Sequence, residues 1–197
     1  MSGYLNEGVL LYLKDLIDWE SLLRMRKGDD VDVEAERAAY LEVLETASQI
    51  CQEIEPEARA GWDQAARLEE GEVVYPAHIR DGYQKLADAG LVSLGTEEAY
   101  GGFCLPAFVT NVVLQMVARA DAGLMTILGL QTGVADDLQL YGSEELKQRY
   151  LPRFVTGELM GAMDLTESQA GSDLGAITTR ATEEDGRIRL DGEKIFI

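Results

Sequence analysis

The pattern of apolar residues changes once along the chain, close to Gly157, and this change restricts the possible folds more than any other feature. Before it, apolar residues recur every three or four positions, which is typical of amphipathic helices. After it, strand-forming residues dominate and apolar and polar positions alternate. The sequence therefore predicts an α+β protein, with an N-terminal helical bundle over residues 1–157 and antiparallel strands over residues 158–197.

Six helices are predicted in the first part. The first two have apolar faces that extend from Val9 to Leu23 and from Leu44 to Ile54. The third runs from Pro76 to Gly90, the fourth begins at Pro106, the fifth is the uncharged run "AGLMTILGLQTGVA", and the sixth begins after the N-cap Ser143. Pro56 and Pro152 are expected to end the second and sixth helices. The uncharged run is shorter than the roughly 20 residues that span a bilayer, so a buried core helix and no membrane span are predicted. "RKGDDVDVEAE" and "RLEEGEVVYP" are interpreted as solvated connections.

About four strands are predicted after Gly157. "ELMGAMDLT" and "AITTRAT" are rich in strand formers, and "GRIRLDGEKIFI" alternates around Asp191–Gly192, a dipeptide typical of tight hairpins. The last strand would leave an apolar edge at Ile197, which suggests the N-terminal piece of a longer protein. A small α+β domain that is complete as it stands is the alternative.

Charge and cysteine usage narrow the function classes. The formal net charge is −19, which argues against nucleic acid or an anionic membrane surface as partners. Cys51 and Cys104 form no metal spacing, and the N-terminus lacks a secretory signal, so free thiols and a cytoplasmic location are expected. The sole histidine, His78, is interpreted as a surface or capping residue, and no metal cluster or Ser/His/Asp set can be built around it.

The stretch "MDLTESQAGSD", residues 163–173, is predicted to be a loop between a strand ending near Thr166 and one beginning near Ile177. Gly171 can adopt backbone angles that other residues avoid, so adjacent N–H groups can form a concave anion site, with the Ser172 hydroxyl at its rim. Such a site suits a pyrophosphate. The same residue types also make ordinary turns, and the residues alone leave both readings open.

Four motifs in order along residues 97–197 resemble the acyl-CoA dehydrogenase family. They are "EEAYGGFCLP", "YGSEELKQRYLPRFVTGEL", "LTES" followed by "AGSD", and "LDGEKIFI". The long N-terminal part resembles the larger bacterial members, which include enzymes of the methylmercaptopropionyl-CoA type.

The resemblance implies a helical N-terminal domain, the start of a β-barrel-like middle domain that is incomplete here, and a C-terminal helical domain that is absent. It also implies FAD. By motif position, Met163, Leu165 and Thr166 would contact the isoalloxazine and Phe196 would pack on it. Ser172, in the loop with Gly171, would bind the FAD pyrophosphate and face the thioester. The Ser or Thr that bonds flavin N5 is expected just beyond Ile197.

Four positions depart from the family pattern. Ser168 replaces the usual proline, and Asp164 stands where a small or sulfur side chain is common. Phe103 and Cys104 replace a glycine-rich pair, and as substrate-binding residues they would narrow the acyl pocket. Simple loop packing is the alternative for that pair.

The implied reaction is α,β-dehydrogenation of an acyl-CoA in fatty acid metabolism, with electron-transfer flavoprotein as acceptor and a homo-oligomeric full-length enzyme. The family's base is a glutamate in the absent part, so no catalytic residue is assigned here, and Glu167 is interpreted as a loop or interface carboxylate. The fragment alone is expected to be inactive and to retain little FAD. The alternatives are an acyl-CoA oxidase or related flavin monooxygenase-like member, and a non-catalytic helical interaction module.

Overall fold

Helices dominate residues 3–197, the part of the chain that the computed structural model describes. The seven α-helices there are α1 (Glu7–Leu11), α2 (Trp19–Lys27), α3 (Val33–Gly61), α4 (Ala77–Asp88), α5 (Ala107–Ala120), α6 (Ala122–Tyr141) and α7 (Glu144–Val155). Two antiparallel hairpins pair β1 (Arg67–Glu69) with β2 (Glu72–Val74) and β3 (Arg180–Glu184) with β4 (Arg187–Asp191). The predicted α+β class, helices first and antiparallel strands last, is confirmed, and the described strands close no barrel.

The main core lies among α3, α4, α5 and α6. The predicted apolar face of α3 is buried almost completely at Leu44, Ala47, Cys51 and Ile54. α5 packs against both α3 and α6, and it buries residues around most of its circumference because neighbours cover it on several sides. The uncharged run forms most of α6, where Leu124 and Leu128 point into the core as expected.

Several helix ends follow the capping rules. The Ser143 hydroxyl accepts a hydrogen bond from the Leu146 backbone N–H, which confirms the predicted N-cap of α7. Gly90 follows α4 with a φ of +72°, the left-handed conformation in which glycine relieves the strain of a C-cap.

Three predicted helix boundaries are wrong. The first predicted helix is two helices, α1 and α2, separated by a π-helical turn (Tyr12–Leu16) and by extended backbone at Ile17. Pro56 does not end α3, which continues to Gly61, and Pro152 lies inside α7. A proline removes one helical hydrogen bond, and here buried residues on both sides of it hold the next turn in place.

The strand predictions need larger corrections. No strand forms over residues 158–166, and the second predicted strand begins at Arg180 rather than near Ile177. The hairpin turns at Asp185–Gly186, whose φ angles are +52° and +71°, and not at Asp191–Gly192. Positive φ at both turn residues marks a two-residue turn that suits the twist of paired strands.

The two segments interpreted as connections are partly regular. "RLEEGEVVYP" contains the β1–β2 hairpin, which turns at Glu70–Gly71 with φ angles of +52° and +88°. In "RKGDDVDVEAE", Asp32 caps the N-terminus of α3 and the helix begins at Val33. Most residues of both hairpins are exposed, so short-range turn geometry, more than core packing, specifies them.

Candidate functional site

The segment after α7 runs as irregular backbone along the helical bundle. A Cβ atom on Gly161 would lie 3.0 Å from the Val134 Cβ and 3.2 Å from the Phe154 ring. The Met163 sulfur lies 3.2 Å from the position that a Cβ on Gly133 would take. Glycines on both surfaces therefore allow the segment to lie close against α6 and α7, and this contact takes the place of the predicted strand.

A tight turn follows at residues 167–170. The backbone N–H and C=O groups of Glu167 and Ala170 bond to each other, at 2.9 and 3.0 Å. Ser168 and Gln169 are the two central residues, and neither has a positive φ, which is typical of a type I turn. The turn sets the position of the Glu167 side chain.

The Glu167 carboxylate is buried, with 3% of the residue exposed, and it joins three separate segments. One oxygen accepts from the Thr179 N–H at 3.0 Å, the Thr179 hydroxyl and Lys194 Nζ at 2.9 Å. The other accepts from the N–H and hydroxyl of Thr178, both at 2.8 Å, and from the Gln169 amide. These residues (Glu167, Gln169, Thr178, Thr179 and Lys194) are called the Glu167 cluster below.

Hydrogen bonding sets the charge state of this carboxyl group. The Thr179 hydroxyl, the Thr178 N–H and the Lys194 ammonium favour the ionised form and hold the pKa of Glu167 far below its usual range. Glu167 is therefore a loop carboxylate, as predicted, but one that is buried and stays ionised well below the pH at which an exposed glutamate is protonated. No local sequence pattern indicates its burial, because its main charged partner is Lys194, 27 residues away.

The Glu167 cluster brings together the two segments that the resemblance assigns to the flavin. The Ile195 N–H donates to the Thr166 C=O at 2.9 Å, and Lys194 Nζ donates to the Leu165 C=O at 3.0 Å. Phe196 follows directly in sequence. Residues 165–166 and 194–196, separated by almost thirty positions, thus form one surface.

The side chains of this surface suit a flat, partly apolar ligand. Met163 and Leu165 are 39% and 40% exposed, and the hydrogen bond between Ile195 and Thr166 brings Phe196 to the same surface. The N–H and hydroxyl of Thr166 have no hydrogen-bond partner within residues 3–197. Free donors flanked by uncovered apolar groups fit the isoalloxazine ring of FAD, so the residues present are compatible with that cofactor.

The predicted pyrophosphate loop has a different geometry from the one expected. Gly171 does not have a positive φ, and a Cβ there would meet only the Thr166 methyl at 4.0 Å. The conformational reason given for Gly171 is therefore wrong, whereas its contact with the cofactor stays a prediction. Ser172 is exposed, and its hydroxyl has no partner in the described chain, so it is free to bind an anion.

Phe103 and Cys104 lie on a strained loop. The Phe103 ring packs 3.0 Å from the Cβ position of Gly90 and borders a hollow between α3 and residues 89–105. Cys104 has a φ of +48°, and its carbonyl accepts a hydrogen bond from Arg26 at 2.9 Å. The structure brings neither side chain next to Met163, and their role in substrate binding stays a prediction.

A different hollow adjoins the surface formed by residues 165–166 and 194–196, on the side of Met163. It has a volume of about 420 Å³ and lies between α5, α6 and the end of α2. Its lining residues include Arg26, Leu105, Asn111, Leu114, Gly129 and Gly133. Sequence reasoning missed it, although Gly129 and Gly133 stand four positions apart on one face of α6, a spacing that can open space beside a helix.

His78 is neither a surface residue nor a cap. Its Nδ1 lies 2.6 Å from an Asp121 carboxylate oxygen, and the two side chains are 9% and 6% exposed. The other Asp121 oxygen caps α6 by accepting from the N–H groups of Gly123 and Leu124. The prediction failed because Asp121 is 43 positions away in sequence.

Other site types find no support within residues 3–197. No group of three or more His, Cys, Asp or Glu residues there could hold a metal ion. No helix in that range is long and apolar enough to cross a membrane. Cys51 and Cys104 are both free thiols, as predicted.

Comparisons with known proteins agree with the geometry. The sequence profile of the acyl-CoA dehydrogenase N-terminal domain matches residues 39–158. The 3-methylmercaptopropionyl-CoA dehydrogenase of Ruegeria pomeroyi is 33% identical over 191 residues, which cover 96% of this chain and 32% of that protein. The chain thus spans about a third of the length of this curated relative.

Solved structures extend the match to the fold. Butyryl-CoA dehydrogenase from Megasphaera elsdenii superimposes with a TM-score of 0.64 at 26% identity, over 80% of this chain and 40% of that one. An acyl-CoA dehydrogenase from Bacillus anthracis, solved in complex with FAD, gives a TM-score of 0.62 at 25% identity, over 80% and 26%. Because the family profile covers more than half of the chain and the helical fold agrees, the chain belongs to the acyl-CoA dehydrogenase family.

Proposed function

We propose that this chain is the N-terminal part of an FAD-dependent enzyme that removes hydrogen from the α and β carbons of an acyl-CoA thioester. The observation that carries the proposal is the surface formed by Leu165, Thr166 and Phe196. It combines free donors with uncovered apolar side chains, and the Glu167 cluster holds it in place. Family membership supports the same conclusion.

The proposed cofactor contacts follow from this surface. Met163, Leu165 and Phe196 cover the isoalloxazine, and Thr166 donates to it through its N–H and hydroxyl. Ser172, beside Gly171, donates to the pyrophosphate and lies close to the thioester. FAD, when bound, supplies the hydride acceptor. The task of this chain's residues is to orient the flavin and keep water away from one of its faces.

The hollow between α5 and α6 is the candidate acyl site. Gly133 connects it to the Met163 sulfur, so an acyl chain in the hollow would lie next to the flavin surface. In this proposal Phe103 and Cys104, on the neighbouring loop, limit the size of the acyl chain. Leu105 lines both the hollow beside Phe103 and the candidate acyl site, so the two hollows are adjacent. No described residue is assigned as the catalytic base.

The remaining assignments concern the whole enzyme. Residues 1–157 and 158–197 are proposed as parts of two domains, with the boundary at Gly157, whose φ of +73° ends α7. Electron-transfer flavoprotein is proposed as the acceptor and a homo-oligomer as the working form. The two free thiols support a location in the reducing cytoplasm.

The test uses the full-length protein that contains this chain. Purified protein is loaded with FAD and mixed without oxygen with a panel of acyl-CoA thioesters. We expect bleaching of the flavin absorption together with the formation of the enoyl-CoA, detected by mass spectrometry. A protein that holds FAD but is reduced by none of the thioesters would contradict the proposal.

Two exposed serines of one loop give a matched pair of variants. Ser172→Ala should weaken FAD binding by about tenfold, because it removes one hydrogen bond to a charged group. Ser168→Ala should leave FAD binding unchanged, because within residues 3–197 the Ser168 hydroxyl bonds to Gln169 alone.

Reoxidation of the reduced enzyme in air, compared with reoxidation by electron-transfer flavoprotein, separates a dehydrogenase from an oxidase.

A further inference from the structure

A second hollow, of about 740 Å³, lies where the end of α3, the segment around the β1–β2 hairpin and the α5–α6 junction meet. It shares no lining residue with the candidate acyl site. We call it the Trp62 hollow, and it is bordered by Arg59, Trp62, Tyr75, His78, Asp121 and Gly123. Nothing in the proposed dehydrogenase function uses these residues.

Among the polar groups that line it, the His78 imidazole has a free ring nitrogen. Nδ1–H of His78 donates a hydrogen bond to one carboxylate oxygen of Asp121, and the other oxygen accepts from the N-terminus of α6. In the neutral ring this leaves Nε2 as a hydrogen-bond acceptor. Nε2 has no partner within residues 3–197, although nine-tenths of the side chain is buried and the ring borders the hollow.

The backbone makes room for this ring. A Cβ on Gly61 would lie 2.8 Å from the His78 Cδ2, so any larger residue at the end of α3 would displace the imidazole. The glycine allows His78 to sit against the helix end with its Nδ1 on Asp121. The orientation of Nε2 is thus fixed from two sides.

Two aromatic side chains form the rim. Trp62 is 79% exposed and Tyr75 is 40% exposed, and both line the hollow. Large aromatic side chains usually bury most of their surface, and flat rings stack on them in offset or edge-to-face arrangements. Ala58, Ala122 and Gly123 line the same hollow, and their small size leaves space for a ring.

We propose that the Trp62 hollow binds a planar aromatic small molecule that carries a hydroxyl or N–H donor. The ring lies against Trp62 and Tyr75, and the donor bonds to Nε2 of His78. A neutral molecule is favoured over an anion, because Arg59, the cation in the lining, is already paired with Glu55 and the chain as a whole carries a net charge of −19. This proposal does not depend on the dehydrogenase function.

The test compares 4-hydroxybenzamide with benzamide, which lacks only the hydroxyl donor. Because His78 is the sole histidine, its ring signals are unambiguous in NMR spectra of an untagged protein. Titration with 4-hydroxybenzamide should shift those signals and bind about five- to tenfold more tightly than benzamide, the effect of one net hydrogen bond. Equal affinity for the two compounds, or unshifted His78 signals, would overturn the proposal.

A pair of aromatic variants completes the test. Trp62→Ala should weaken binding of 4-hydroxybenzamide, whereas Tyr141→Ala, which removes another highly exposed aromatic residue outside the hollow, should not. Both positions are exposed, so both variants should fold. Equal effects of the two substitutions would show that 4-hydroxybenzamide binds nonspecifically to exposed aromatic side chains, and would refute the site.

Discussion

At the scale of single residues, the departure from the family pattern at Cys104 places a side chain on strained backbone. Cys104 has a φ of +48°, in the left-handed region where a side chain crowds the backbone. Its N–H still bonds to the Thr96 C=O at 2.8 Å, so the loop closes in spite of the strain. A glycine at position 104, as in the glycine-rich pair that is usual in the family, would adopt this conformation without that strain.

We therefore expect Cys104→Gly to stabilise the protein by about 1 kcal/mol, which corresponds to an increase in Tm of roughly 2–4 °C. Phe103→Gly is the control, because Phe103 has no positive φ and its ring packs near Gly90. It should lower the Tm. Thermal unfolding followed by circular dichroism measures both, and a lower Tm for Cys104→Gly would show that the backbone is not strained there.

The Glu167 carboxylate predicts a pH dependence. Its pKa is lowered in the folded state from an ordinary value of 4.5, so its stabilisation is complete above that value and is lost as the pH falls below it. Glu167→Gln removes the charge and places an amide among six donors. At neutral pH it should lower the Tm, and the difference from the wild type should shrink steadily as the pH falls below about 4.5.

Glu183→Gln provides the comparison for that experiment. Glu183 lies on the exposed strand β3, and its side chain makes no hydrogen bond or ion pair within residues 3–197. The substitution should change the Tm little at any pH. If the two glutamine variants had the same pH profile, the Glu167 cluster would not be a source of stability.

At the scale of elements, the turn at residues 167–170 accepts the proline that the family normally has. Ser168 is the second residue of a type I turn, its N–H has no hydrogen-bond partner within residues 3–197, and the preceding Glu167 forms a β-bridge with Ala170. Ser168→Pro should therefore stabilise the protein by about 0.4–1 kcal/mol, because it restricts the unfolded chain.

The neighbouring position gives the opposite expectation. Gln169→Pro puts the ring at the third position of the turn, where it forces the residue before it out of the helical region. That variant should lower the free energy of unfolding measured in urea. A destabilised Ser168→Pro protein would mean that the turn is not type I.

The elements also show what the sequence could predict. Helix faces such as Leu44 to Ile54 were predictable because their period is local and their burial follows from it. Residues 158–166 have strand-forming composition, yet they lie against α6 because Gly161 permits a close approach. His78 with Asp121, and Glu167 with Lys194, are pairs formed by the fold, and no local pattern indicates them.

At the scale of the whole molecule, the net charge of −19 opposes compaction. Exposed ion pairs such as Arg24 with Glu20 offset little of this repulsion. Raising NaCl from about 0.01 M to about 0.15 M shortens the screening length from roughly 30 Å to roughly 8 Å. We therefore expect the Tm to rise over this range, to the same extent in KCl, and a falling Tm would mean that attractive pairs dominate.

The Glu167 cluster has a consequence for hydrogen exchange. The amides of Thr178 and Thr179 donate to a buried carboxylate, whereas the next residues enter a hairpin whose side chains are all exposed. Amide protons exchange only when their hydrogen bonds open, so these two should exchange slowly within a region that otherwise exchanges fast. Their rates would then report, at two single amides, how often the surface around Thr166 comes apart.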